Sequence, residues 1–115
     1  MKDDYIYQYT SKDAEEDGTL FDVTKLNHKW KNGLFNYVTK NLLSKGYIKT
    51  DKIMVHDIID LLNQAMQIIK KKSKNLKEFD YFFNGEIELP NGEMQEIFIQ
   101  QNDTGKFTIM LPEDY

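Results

Sequence analysis

The stretch "FFNGEIELPNGEMQEIFIQQNDTGKFTIML", Phe82 to Leu111, decides the fold. Apolar residues recur at every second position: Ile87 and Leu89, then Ile97 and Ile99, then Phe107, Ile109 and Leu111. Period two marks strands that rest one face on a core. Pro90-Asn91-Gly92 and Asn102-Asp103-Thr104-Gly105 carry turn chemistry between the runs. The stretch predicts a three-stranded antiparallel meander with one apolar face. The opposite face presents Glu86, Glu88, Glu96 and Gln100. A meander alone is marginal in water, so helices must cover its apolar side.

The cover lies upstream. Between Ile53 and Ile69, Val55, Ile58, Leu62, Ala65 and Ile69 recur at three- and four-residue spacing. That spacing predicts a central amphipathic helix. Thr50 and Asp51 offer N-cap chemistry, and Lys70, Lys71 and Lys72 suit the negative end of the helix dipole. Earlier still, "NGLFNYVTKNLLSKGYI" places Leu34, Phe35, Val38, Leu42 and Leu43 at helical spacing. It predicts a second helix from about Leu34 to Lys45, with Gly46 beyond its end and Trp30 docking on the same face. The expected architecture is a single α+β domain over residues 1–115. It has a small antiparallel sheet, the meander plus an N-terminal strand, with two main helices packed on one face.

Composition narrows the chemistry. Among 115 residues there is no cysteine, so disulfides, thiolate metal sites and cysteine nucleophiles are excluded. No apolar run approaches the ~18 residues of a membrane span. The start, MKDDYIYQYT, is acidic and aromatic, unlike a signal peptide. The expected setting is the cytoplasm. Hydrophobic residues at 40% and charged ones at 30% are ordinary for a folded domain. Seven Phe, seven Tyr and one Trp promise an aromatic core and a surplus for contact surfaces.

All fifteen basic residues are lysine. Arginine is the residue of choice for bidentate grips on phosphate or guanine, so its absence weakens any sequence-specific DNA reader or phosphoryl-transfer enzyme. Net charge is −4, but it is segregated. Residues 1–24 hold seven acids and two lysines, 25–52 seven lysines and one acid, 70–77 five lysines, and 78–115 nine acids and one lysine. Such blocks are either solvated faces that pair within the fold or polar binding surfaces.

The acidic run "TSKDAEEDGTLFDVT", Thr10 to Thr24, invites reading as a metal loop. Asp13, Glu15 and Asp17 alternate before Gly18, but Asp22 does not fit the spacing of a calcium loop. Asp13, Asp17, Gly18 and Asp22 read instead as a structural motif: a short helix favoured by acids at its start and ended by Gly18, then an extended segment. The expectation is no metal and no cofactor.

The pattern Asp13-Ala14-x-x-Asp17-Gly18-x-Leu20-x-Asp22-Val23-Thr24 resembles the opening signature of a family of small uncharacterised proteins found on phages, plasmids and integrated mobile elements. "NGLFNYVTKNLL" is similar to that family's glycine–aromatic lead into a helix, although the proline common there is missing. "FTIMLPEDY" is similar to its terminal strand followed by methionine, proline and acids. The resemblance implies a mobile-element origin and carries no reaction or catalytic residue with it.

No catalytic constellation stands out. His28 and His56 fall in different elements, and His56 and Asp57, adjacent on a helix, point about 100° apart. Nucleophile-elbow, phosphate-loop, zinc-helix and dinucleotide motifs are all missing. The chain is therefore expected not to be an enzyme. The favoured expectation is a non-catalytic protein that binds a host protein, such as a component of CRISPR or restriction defence. The glutamate-bearing face of Glu86, Glu88 and Glu96 would meet a basic groove, with Tyr5, Tyr7, Tyr9 and Tyr115 as aromatic anchors. That face reads equally well as plain solvated sheet surface. The alternative is a nucleic-acid-binding accessory protein that makes weak, salt-sensitive phosphate contacts through Lys70, Lys71, Lys72, Lys74 and Lys77. A homodimer is compatible with either.

Overall fold

The computed structural model describes residues 6–8, 20–73 and 81–115. In chain order its strands are β1 (Ile6–Gln8), β2 (Leu20–Asp22), β3 (Phe35–Thr39), β4 (Ile48–Lys49), β5 (Lys52–Met54), β6 (Phe82–Glu88), β7 (Met94–Gln101) and β8 (Phe107–Met110). Its helices are α1 (Lys40–Leu43) and α2 (Val55–Ser73), with 3-10 turns at Val23–Lys25, His28–Asn32 and Pro112–Asp114. The class is α+β.

β6, β7 and β8 pair antiparallel in chain order, with Glu86 opposite Glu96 and Ile99 opposite Ile109. Gly92 and Gly105 take positive φ in the two turns, at 92° and 89°. The sheet does not stop at three strands. β3 pairs in parallel with β8, and β2 pairs antiparallel with β3, giving the order β2-β3-β8-β7-β6. The sheet is therefore mixed and five-stranded, in place of the small antiparallel one expected. The strand added from the N-terminal side is β2. β1, which contains Tyr7, joins β5 and β4 in a separate three-stranded sheet.

The helix expected from Leu34 to Lys45 is instead a strand followed by one helical turn. Phe35–Thr39 forms β3, whose pattern is not alternating: Phe35, Asn36, Val38 and Thr39 are all buried. The register slips between Phe35 and Tyr37, which places an extra residue, Asn36, in the strand. Thr39 then stops the strand and caps α1, its Oγ1 accepting from the Leu42 N–H at 3.3 Å. A twice-buried strand joined to a helical turn imitates helical spacing in sequence. Gly46, at φ 107°, turns the chain after α1.

The central helix also begins differently. Thr50 and Asp51 have φ of 50° and 63°, so they form the two-residue turn of the β4–β5 hairpin rather than a helix cap. α2 starts at Val55 and runs through Lys70, Lys71 and Lys72 to Ser73. Its buried line is Val55, Ile58, Leu61, Ala65 and Ile68; Leu62 and Ile69 sit half-buried at its flank. There is one main helix among the described residues, and α1 is a single turn that buries Leu42 and Leu43 completely.

α2 packs on the large sheet at β6, and its buried line shares one core with Phe21, Val38, Ile87, Ile97, Ile99 and Ile109. Contact is close at Gly85. A Cβ there would stand 2.8 Å from Ile68 Cδ1 and 3.0 Å from Ile68 Cγ1, so only hydrogen lets the helix approach this far. Gly85→Ala should destabilise by ~1–3 kcal/mol through overpacking. Ile68→Ala alone should cost ~2–5 kcal/mol. Denaturant titration of the double variant should give at least ~1 kcal/mol less than the sum, because the two changes share one space.

The hairpin turn yields a second expectation. β-Branched Thr50 is strained at positive φ, whereas Asn-Gly suits both positions. Thr50→Asn with Asp51→Gly should stabilise the fold by about 1 kcal/mol, read as a rise in Tm.

Candidate functional site

Strand alternation assigns the outer face of the large sheet, the side away from α2. β6 contributes Phe82, Asn84, Glu86 and Glu88; β7 contributes Met94, Glu96, Phe98 and Gln100. Glu86, Glu88 and Glu96 are exposed, and Glu86 sits directly opposite Glu96. Like charges placed so oppose pairing. Among the described residues none of the three carboxylates has a hydrogen-bonded or ionic partner.

Beside the glutamates lies an aromatic cluster. The Phe82 and Phe98 rings meet edge to face at 5.0 Å, and Tyr115 leans on both, at 5.3 and 5.6 Å. Such tilted contacts suit the ring quadrupoles. Tyr115 is nevertheless 70% exposed and Phe82 39%. Met94 is exposed on the same face at the far end of the hairpin, opposite Glu88. A turn at Pro112–Asp114 delivers Tyr115 to this place. The Asp114 carboxylate fixes that turn: it accepts from Leu111 N–H at 3.2 Å, Thr39 Oγ1 at 2.7 Å and Asn41 Nδ2 at 2.7 Å.

The same face borders a sheet edge. Glu88 turns its N–H and C=O away from β7, and the Gln64 amide of α2 takes both, at 2.8 and 3.0 Å. Gln64 thereby continues the ladder for one step and blunts the edge.

The remaining candidates are scattered. Lys70, Lys71 and Lys72 are exposed at the C-terminal end of α2. Asp22 is structural. Its Oδ1 accepts from Thr24 N–H at 2.9 Å and Thr24 Oγ1 at 2.6 Å, capping the first 3-10 turn. Tyr7 is in β1, opposite Ile53. Tyr5, Tyr9, Asp13, Asp17, Gly18, Lys74 and Lys77 lie outside the described residues. Among the described residues no three His, Asp or Glu side chains gather in a way that could hold a metal ion. No described helix is long and apolar enough to cross a membrane. His28 and His56 are both exposed, in separate elements.

A cleft that sequence reasoning did not assemble opens between the second 3-10 turn and the start of α2. Its volume is about 760 Å³, and its walls include Lys25, His28, Lys29, Trp30, Lys31 and Asp22. A smaller apolar groove of about 240 Å³ adjoins it, bounded by Trp30, Leu34, Ile59, Leu62 and Met66. A signal for it exists in "KLNHKWKN", where lysines flank the single tryptophan. Sequence alone leaves it unused, because His28 and its neighbours read as plain surface.

Compared with family models, with curated proteins and with solved structures, the chain matches none.

One buried polar group lies apart from these surfaces. Tyr47 is 1% exposed, and its hydroxyl has no hydrogen-bond partner among the described residues. Burial raises its pKa far above the usual phenol value, and the charges of Asp60 and Asp57 push the same way. The folded state thus holds the neutral phenol while the unfolded chain ionises near pH ~10. The sign follows: the contribution is intact below pH ~10 and is lost as pH climbs toward the folded value. Tyr47→Phe should be neutral or stabilising by ~1 kcal/mol at pH 7, since it removes an unsatisfied group. Urea titrations above pH ~10 should show a shallower loss of stability in the variant than in the wild type.

Proposed function

We propose that this protein is a non-catalytic binding module that docks the outer face of its large sheet onto a basic surface of a host protein. The observation that carries the proposal is the Phe82–Phe98–Tyr115 cluster set beside the unneutralised Glu86, Glu88 and Glu96. Setting Glu86 opposite Glu96 works against strand pairing, and Tyr115 stays largely exposed even while packed on Phe82 and Phe98. Aromatic anchors beside charge are what an interface uses, the rings for affinity and the charges for steering and selectivity.

The origin is part of the same proposal. The likeness of the Asp13–Thr24 and Phe107–Tyr115 segments to a mobile-element family supports a protein made to act on its host. A nuclease or targeting subunit of a CRISPR or restriction system has the expected chemistry, a positive groove built to hold nucleic acid. Acids on a flat sheet would compete for such a groove without imitating a whole duplex, in keeping with a net charge of only −4.

Affinity capture from host extract tests the proposal. The wild-type protein should retain a basic, nucleic-acid-handling protein. Replacing Glu86, Glu88 and Glu96 together with Gln should slow association and flatten its salt dependence. The same variant should fold as well as wild type, since exposed changes usually stay within ~0.5 kcal/mol each. Tyr115→Ala should raise the dissociation rate. A triple variant that binds the captured protein at the wild-type rate and salt dependence would remove the interface from this face.

A further inference from the structure

The cleft beside Trp30 shares no residue with the outer sheet face and requires its own explanation. Asn27 sets its geometry. The Asn27 Oδ1 accepts from Lys29 N–H at 3.0 Å, and its backbone carbonyl accepts from Trp30 N–H at 2.9 Å. The capped 3-10 turn then brings Lys29, Trp30 and Lys31, three consecutive residues that project in different directions from its axis, to the lining of the cleft. Lys25 and His28 line the same space.

The opposite wall is Val55 and Ile59 of α2. Val55 is the first residue of a 19-residue helix, so the positive end of that helix's dipole borders the cleft. Among the described residues Asp22 is the single acid in the lining, and Thr24 engages one of its oxygens. Lys29, Lys31 and a helix start thus border the cleft together with one described carboxylate. Leu26, Val55, Ile59 and the indole of Trp30 supply apolar surface within the same space. Its volume of about 760 Å³ is that of an ordinary small-molecule site.

A ligand that satisfies both halves is an anion carrying a flat apolar ring. We infer that the cleft binds a base-bearing phosphate, with the base against Trp30 and the phosphate held by Lys29 and Lys31. Lysines act here as point charges and not as bidentate forks, so phosphate is gripped without reading the base. Stacking on an indole is likewise tolerant of base identity. The same chemistry is offered by a free mononucleotide and by one unit of single-stranded nucleic acid.

Trp30 is the chain's single tryptophan, so its fluorescence, excited where tyrosine does not absorb, reports on this cleft alone. The full-length protein is titrated with AMP, with ATP, with an oligothymidylate and with inorganic phosphate. Saturable quenching by AMP or ATP assigns a mononucleotide site. Quenching by the oligonucleotide alone assigns single-stranded nucleic acid. Inorganic phosphate should compete without quenching.

Lys29→Gln with Lys31→Gln should weaken binding roughly tenfold. For the oligonucleotide it should also reduce the log–log salt slope by ~0.7 per lysine removed. Both lysines are exposed, and a thermal melt should confirm that the variant folds. Replacing Lys70, Lys71 and Lys72 with Gln should leave the titration unchanged. Absence of saturable quenching by every nucleotide probe at low salt overturns the inference. So does a titration abolished by the Lys70–Lys72 changes and indifferent to those at Lys29 and Lys31.

Discussion

The parallel pairing of β3 with β8 is the constraint on which the rest of the structure depends. Parallel neighbours cannot be joined by a tight turn, so α1, the small sheet's β4 and β5, α2, β6 and β7 must all fit between them in sequence. Polar groups clamp the seam at both ends. At its start Asn102 Nδ2 donates to Asn36 Oδ1 at 2.8 Å and to Thr108 Oγ1 at 3.0 Å, and Asn36 Nδ2 donates to Thr104 Oγ1 at 3.1 Å. At its end Asp114 binds Thr39 and Asn41. Loop closure over so long a span must be offset before these contacts form, so the seam is a late and cooperative gain in folding. It also makes β8 a central strand, with all four of its residues buried. The Pro112–Asp114 turn that follows β8 is tied to β3 through Asp114 and Thr39, and Tyr115 beyond it packs on Phe82 and Phe98. The aromatic cluster is a consequence of the seam.

How much of this was legible in the sequence depends on how local each signal is. β6, β7 and β8 could be read because alternation and turn residues occur together within thirty positions. α2 could be read because its stripe is long. β3 could not. Its parallel partner is some seventy residues away, its burial on both faces erases alternation, and the extra residue at Asn36 removes what was left. Thr50 and Asp51 misled for a different reason. Short polar side chains serve equally at helix caps and at left-handed turn positions, and the choice between them belongs to β4 and β5. At the candidate interface the three glutamates were visible from alternation. Phe82 and Phe98 were not joined to Tyr115, because their meeting depends on a turn held by Asp114 against Thr39, a contact 75 positions apart in sequence.

In the described parts of the Asp13–Thr24 and Phe107–Tyr115 segments, two acids maintain the fold. Asp22 caps the turn that leads to Trp30, and Asp114 ties the chain end to β3 and α1. An acid of this kind is easily mistaken for half of a catalytic pair or a metal ligand. In these two cases the carboxylate is occupied by backbone and side-chain donors, which accounts for an acid there without invoking chemistry. Glu86, Glu88 and Glu96, on β6 and β7, have no such partner among the described residues, and they are available to a second molecule.

The two surfaces so defined carry opposite charge and lie in different layers. The glutamates project from the outer face of the sheet, while Lys29 and Lys31 stand in the layer of α2 on its other side. Both sets of charged groups end in solvent, where fields decay over ~8 Å at physiological salt. A sheet with a helix packed on it is thicker than that, since packed layers stand ~10 Å apart. Each field is therefore felt locally, and a net charge of −4 describes neither.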